Sequence, residues 1–212
     1  FELNRPIFKG LILKFSLNII RDSLSLCDGT NKPCPLTAFR RIILTDFSVL
    51  EAIFPQIISI TNTVLQLENE GQSFYEETIS GAVSLLFALL KIQGQQFPID
   101  DYFSVMLQSL PSKYNAEFVY ETLLSLCIEA KEIVEPFINE IIRIFSQTLS
   151  LKDSDLKKYK LTDENITNMI KMLMMFIQSV PNSQEMISEF VDDQRNQEIL
   201  QSRFEVAASD EQ

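Results

Sequence analysis

The chain has no histidine and no tryptophan among its 212 residues. Without histidine there is no Ser-His-Asp or Cys-His triad, no imidazole metal ligand and no general base that titrates near neutral pH. Glycine is nearly as scarce, with five in all. No glycine-rich phosphate loop and no Cys-x-x-Cys pair occurs. The Asp28-Gly29 dipeptide lies in a loop-like stretch without flanking alternation, so no β-hairpin is signalled. Apolar runs are short. Lys9, Lys14 and Lys91 interrupt the best of them, and none reaches the ~18 residues a membrane span requires. Cysteine is limited to Cys27, Cys34 and Cys127, an odd number that fits a reducing compartment. Cys27 and Cys34 could pair only under oxidising conditions, whereas Cys127 falls on an apolar helical stripe and reads as a buried thiol. No signal peptide is visible, and Phe1 rather than Met opens the chain, as expected of a piece of a longer protein.

What is present is apolar periodicity and acid. Lys and Arg number 18 against 29 Asp and Glu, a formal net charge of −11. Such a chain repels a phosphate backbone, so nucleic acid is not expected as a direct partner and basic proteins are. Hydrophobic residues make up 46%, enough for a sizeable core. The organising stretch is 97–151. A helix starts after Pro98 and stops before Pro111. A second is built on Tyr114, Phe118, Val119, Leu123, Leu124, Leu126 and Cys127. In the third, Val134, Phe137, Ile138, Ile141, Ile142, Phe145 and Leu149 recur at three- and four-residue steps. Between them Glu135, Asn139, Glu140, Arg143, Ser146 and Gln147 can face water. Neither helix of such a pair buries its stripe alone, so neighbouring pairs must stack on it.

The rest of the chain reads the same way. Helices are expected over Ile7 to Leu26, Leu36 to Phe47 and Val49 to Leu67, the last carrying Pro55 as a kink or restart. Ser73 and Glu76 form a capping box for a helix to about Ile92, ended by Gly94. Asp28 to Pro35 reads as a loop, and Lys152 to Lys160 as a charged linker. Thr162 caps a helix bearing Met169, Met172, Met174 and Met175, a spacing more typical of core filler than of a binding groove. Gln184 to Phe190 and Asp192 to Phe204 are short final helices, with a frayed tail over 205–212. The expected core includes Ile57, Leu86, Phe103, Leu123, Ile141, Phe145, Leu173 and Phe176.

Prolines near helix starts, Pro55, Pro98, Pro136 and Pro181, are spaced by 43, 38 and 45 residues, within or close to the 40–47 of two-helix HEAT repeats. Val49, Ile57, Ile58, Ile60 and Leu65 match Ile133, Ile141, Ile142, Ile144 and Leu149 at a constant offset of 84. The fold class expected is all-α, an α-α superhelix of antiparallel helix pairs, with residues 1–212 forming one solenoid segment, the C-terminal part of a longer chain.

Little here carries catalysis. The adjacent pairs Asp100-Asp101 and Asp192-Asp193 do not face each other on a helix and read as charge at helix N-termini. A non-enzyme with no cofactor and no metal is expected. The feature that stands out is Glu117, Glu121, Ser125 and Glu129, an i, i+4 row whose like charges cost a few tenths of a kcal/mol per pair. It is either a solvated face or an acidic strip for Lys and Arg of a partner, and Glu117, Glu121 and Glu129 are the candidate binding residues.

From Val49 to about Ser202 the chain resembles the C-terminal HEAT repeats of the importin-β (karyopherin-β) superfamily, nearest to the branch that carries ribosomal proteins and histones. The matching pieces run in the family's order: Phe54-Pro55-x-Ile57-Ile58, Gly81-Ala82-x-x-x-Leu86, Leu110-Pro111-x-Lys113, Val119-Tyr120-x-x-Leu123, Ile141-Ile142-x-Ile144-Phe145 and an amphipathic helix from Ile166 to Val180. The chain departs from the pattern at Tyr75 to Thr78, where the family has a basic-acidic-Asn run, and at Tyr114-Asn115, where it has two acidic residues. The first 48 residues match nothing in it. The resemblance implies a receptor shuttling between cytoplasm and nucleus through the pore in the nuclear envelope. It would carry basic cargo such as ribosomal proteins or histones and meet FG-repeat nucleoporins. Ran GTPase would control it through repeats outside this chain, and neither nucleic acid nor membrane would be bound directly. A HEAT scaffold subunit of a large regulatory complex is the alternative from another class, and a helical enzyme the third.

Overall fold

The computed structural model describes residues 36–67 and 74–210, together with Gly10 and Lys14. The helix expected over Ile7 to Leu26, the Asp28 to Pro35 loop and Ser73 of the expected capping box lie outside the described residues. Every regular element among the described residues is helical, so the all-α expectation holds there. The chain divides into two compact units, 1–99 and 100–212.

In the first unit, α1 (Leu36–Asp46) and α2 (Phe54–Leu65) pack on α3 (Tyr75–Gln93). From Ala82 to Leu90 every residue of α3 is buried. A helix apolar all round belongs in the middle of a core. Within that run the Ser84 hydroxyl donates to the Gly81 carbonyl at 2.9 Å. Gly94 ends α3 at φ +53°, a conformation strained for any residue with a side chain. The helix expected from Val49 does not run through. Two 3₁₀ turns, Phe47–Val49 and Glu51–Ile53, precede α2, which has Pro55 in its first turn. Proline lacks the N–H that an earlier helical turn would need, and its fixed φ suits a helix start. Leu50 and Ile53 are buried all the same.

The second unit begins within α4 (Ile99–Gln108). It continues with α5 (Ala116–Glu129), the single turn α6 (Lys131–Val134) and α7 (Ile138–Leu149). Then come α8 (Asp153–Leu156), α9 (Asp163–Ser179), α10 (Ser183–Phe190) and α11 (Gln194–Asp210). Residues 211–212 lie outside the described residues. Helix α7 is the axis of the unit, packed by α9, α10 and α11, while α9 also reaches α5. Ile141, Ile142, Ile144, Phe145 and Leu149 of α7 are fully enclosed.

Local chemistry sets the ends. Asp100 and Asp101 occupy the first turn of α4, where the helix dipole favours them. Thr162 Oγ1 accepts from the Asn165 N–H at 3.1 Å, and Asp193 Oδ1 from the Asn196 N–H at 3.0 Å. Asn115 and Asn182 enter α5 and α10 with φ of 53° and 60°, which asparagine tolerates better than most residues.

Helices α2 and α7 are each 12 residues long and lie 84 positions apart. Each is preceded by a 3₁₀ turn at the same offset, Glu51–Ile53 and Glu135–Phe137. The prolines do not share the offset: Pro55 is inside α2, Pro136 inside the preceding turn.

Further local expectations differ from what is found. The helix expected from Val134 to Leu149 is broken by the turn at Glu135–Phe137. Lys152 to Lys160 is not a plain linker, because it forms α8 and a 3₁₀ turn, with Leu156 buried. Ser146 does not face water. It is enclosed and donates to the Ile142 carbonyl at 2.6 Å, which removes the penalty of burying a hydroxyl. Of the methionine stripe, Met169 and Met172 are buried, whereas Met175 is 38% exposed. The eight named core residues are all buried.

Candidate functional site

Helix α5 carries the acidic row. Its inward face is Ala116, Val119, Tyr120, Leu123, Leu124 and Cys127. That stripe leaves the opposite edge to Glu117, Glu121 and Glu129, all exposed, with Ser125 half-buried between them. None of the three carboxylates forms an ion pair with a described residue. Ile128, seven residues after Glu121 and so on the same side, is 58% exposed. The edge is therefore an acidic ridge with one apolar knob.

The helix is held rigidly behind that edge. Tyr120 is fully buried, and its hydroxyl lies 2.6 Å from Thr148 Oγ1 of α7. Burial pushes the Tyr120 phenol well above its ordinary range, so it stays neutral as the pH rises. The Tyr159 ring meets Tyr120 edge-on, with centroids 6.3 Å apart. Thr122 is buried and donates to the Phe118 carbonyl at 2.8 Å. Cys127 is the buried thiol expected from its place in the stripe, and burial pushes its pKa up to about 12. A thiol held protonated this way is a weak nucleophile.

Ahead of α5, the Leu110–Pro111 bond is cis, and Lys113 Nζ stands 5.1 Å from the Tyr114 ring centroid. Arg143 of α7 reaches this turn. It donates to the Leu107 carbonyl at 2.9 Å, the Leu110 carbonyl at 3.0 Å and Gln147 Oε1 at 3.0 Å. The sequence reading left Arg143 on a water-facing side; instead it closes the carbonyl end of α4, where a cation is favoured. Arg203 of α11 does the same for α7, donating to the Leu149 carbonyl and pairing with Asp153 Oδ1 at 2.7 Å.

Sequence reasoning missed a groove of about 720 Å³ between α9, α10 and α11. Met174, expected in the core, lines it together with Phe204. The available signal was the pairing of Leu200 with Phe204 at i, i+4 in a mostly polar helix.

Chemically, the α5 edge can attract cations and little else. Among the described residues no group of three or more His, Cys, Asp or Glu could hold a metal ion, and no helix is long and apolar enough to cross a membrane. Compared with known proteins, the chain matches no family model, and no curated protein or solved structure matches it significantly.

Proposed function

We propose that this chain is the cargo-binding C-terminal segment of a nuclear transport receptor of the importin-β type, a stack of HEAT-type helix pairs that takes basic proteins such as ribosomal proteins or histones. The observation that carries the reading is the row Glu117, Glu121 and Glu129, exposed on one edge of α5 and unpaired by any described residue. A net charge of −11 reinforces it. The recurrence of a 3₁₀ turn followed by a 12-residue helix at an offset of 84 supports a repeat of about 42 residues, half that offset. In this reading the chain is not an enzyme. It works between cytoplasm and nucleus, meets FG-repeat nucleoporins at the pore, and is controlled by Ran through repeats outside it.

The test is titration of a Lys/Arg-rich peptide against the wild type and the Glu117→Gln/Glu121→Gln/Glu129→Gln variant. Binding by the wild type that falls several-fold in the variant supports a cargo edge. Equal binding at low salt removes the α5 row from the cargo surface and favours the scaffold alternative, which needs no basic ligand there.

A further inference from the structure

The groove between α9, α10 and α11 has the makings of a second, separate interaction surface. Its floor is apolar and only partly covered: Met174 and Ile177 from α9, Ile187 from α10, and Leu200 and Phe204 from α11. Leu200 is buried, and the other four are half-buried. Apolar side chains gathered in an open concavity, rather than scattered singly, mark a place where something docks. The titratable groups lining it are Glu198 and Glu205, and both are exposed. Each is oriented along α11 by a glutamine one turn earlier. Gln194 Nε2 donates to Glu198 Oε1 at 3.3 Å, and Gln201 Nε2 to Glu205 Oε1 at 3.1 Å. Among the described residues no Lys or Arg lines the groove. The arginine nearest in sequence to both floor residues of α11, Arg203, is engaged with the Leu149 carbonyl and Asp153.

We infer that this groove seats an amphipathic helical segment of a partner protein, with large apolar side chains entering the floor and Lys or Arg on its flanks meeting Glu198 and Glu205. The apolar floor asks for anchors at helical spacing. The two carboxylates, with no Lys or Arg among the described residues lining the groove, select basic flanks and repel an acidic peptide or a phosphate backbone. About 720 Å³ accommodates a few large side chains. This surface shares no residue with the α5 row and needs apolar contact as well as charge, so it stands or falls separately from the cargo reading.

The test uses the 212-residue chain with isotope-labelled methyl groups at Met174, Ile177 and Ile187, and three synthetic peptides of about 14 residues. The first has Leu and Phe at i, i+3, i+4 and i+7 with Lys elsewhere. The second replaces its Lys by Glu, and the third keeps Lys but replaces Leu and Phe by Gln. The first alone should bind and shift the three labelled methyls. Glu198→Lys/Glu205→Lys, both at exposed positions, should keep its helical spectrum, weaken the first peptide by about tenfold and admit the second. Phe204→Ala should weaken the first without admitting the second. The proposal is overturned if the first peptide shifts none of the methyls, or if the third binds as tightly as the first. It is equally overturned if charge reversal changes nothing. Loss of binding in the Glu117→Gln/Glu121→Gln/Glu129→Gln variant, with the groove methyls silent, would move the peptide to α5. A concentration-dependent shift of those methyls without peptide would show that a second copy of the chain is the occupant.

Discussion

The Tyr120 hydroxyl of α5 lies 2.6 Å from Thr148 Oγ1 of α7, and neither side chain has any solvent exposure. The two residues stand 28 positions apart, so this contact ties two helices rather than one turn. A buried hydroxyl that loses its partner pays its full desolvation cost, whereas removing both hydroxyls together is nearly neutral. Tyr120→Phe and Thr148→Val should each destabilise by about 1–2 kcal/mol in urea unfolding. The double variant should lose less than the sum of the two, giving a coupling of about 0.5–2 kcal/mol. Strict additivity would mean that the two hydroxyls do not interact.

Arg143 is the other long-range tie, with donors to two carbonyls at the end of α4. Arg143→Met keeps most of the stem but leaves the Leu107 and Leu110 carbonyls without these donors. The expected loss is about 1.5–3 kcal/mol, since bonds from a charged donor are the stronger kind. Arg143→Lys, with a compact ammonium instead of a fork, should recover only part of it. A lysine variant as stable as wild type would show that the forked geometry contributes nothing.

Phe145 is fully enclosed on α7. Phe145→Ala should cost about 3–5 kcal/mol, combining lost transfer energy with the cavity left behind. A thermal midpoint shifted by less than about a degree would take Phe145 out of the core.

Cys127 supplies a pH signature. Its folded pKa is raised to about 12 from the ordinary 9.0, because burial disfavours the thiolate. A raised folded value means the contribution to stability is complete below pH 9.0 and is lost as pH climbs from there toward 12. Tyr120, also raised, adds a loss that begins near its ordinary 10.0. Stability measured from pH 8 to 11 should therefore fall, and Cys127→Ala should flatten the part that starts near pH 9. In the folded protein near neutral pH, alkylation of the Cys127-containing peptide should proceed at the rate of unfolding. Rapid labelling of Cys127 in the folded state would contradict its enclosure.

The acidic row on α5 carries two linked expectations. Exposed pairs are worth about 0–1 kcal/mol each and are screened by salt. Binding of a Lys/Arg-rich peptide should thus weaken steeply between ~50 and ~300 mM salt. The Glu117→Gln/Glu121→Gln/Glu129→Gln variant should lose that salt dependence and gain a few tenths of a kcal/mol in stability, as repulsion along the helix is relieved. A destabilised variant would mean that at least one of the carboxylates supports the fold.

Several features were legible in the sequence because their physics is local. A recurrence of apolar residues every three to four positions needs no knowledge of the partner, so Ile57, Leu123, Ile141, Phe145 and Leu173 could be placed inside before any neighbour was known. Thr162 holds the amide of Asn165 and Asp193 that of Asn196, both within three residues. Gly94 ends α3 because its own φ is positive. The exposure of Glu117, Glu121 and Glu129 follows from the stripe on the other side of their helix. What the tertiary structure decided is what covers each stripe and where a polar group finds its partner. Ser146 could turn inward because the Ile142 carbonyl accepts its proton. Arg143 became a helix-end clamp because Leu107 and Leu110 come within reach from more than thirty residues away. Met169 is core and Met174 is groove lining on one helix, since α7, α10 and α11 cover α9 unequally. A local pattern states which side of a helix prefers to leave water; only the packed neighbours determine how much of it does.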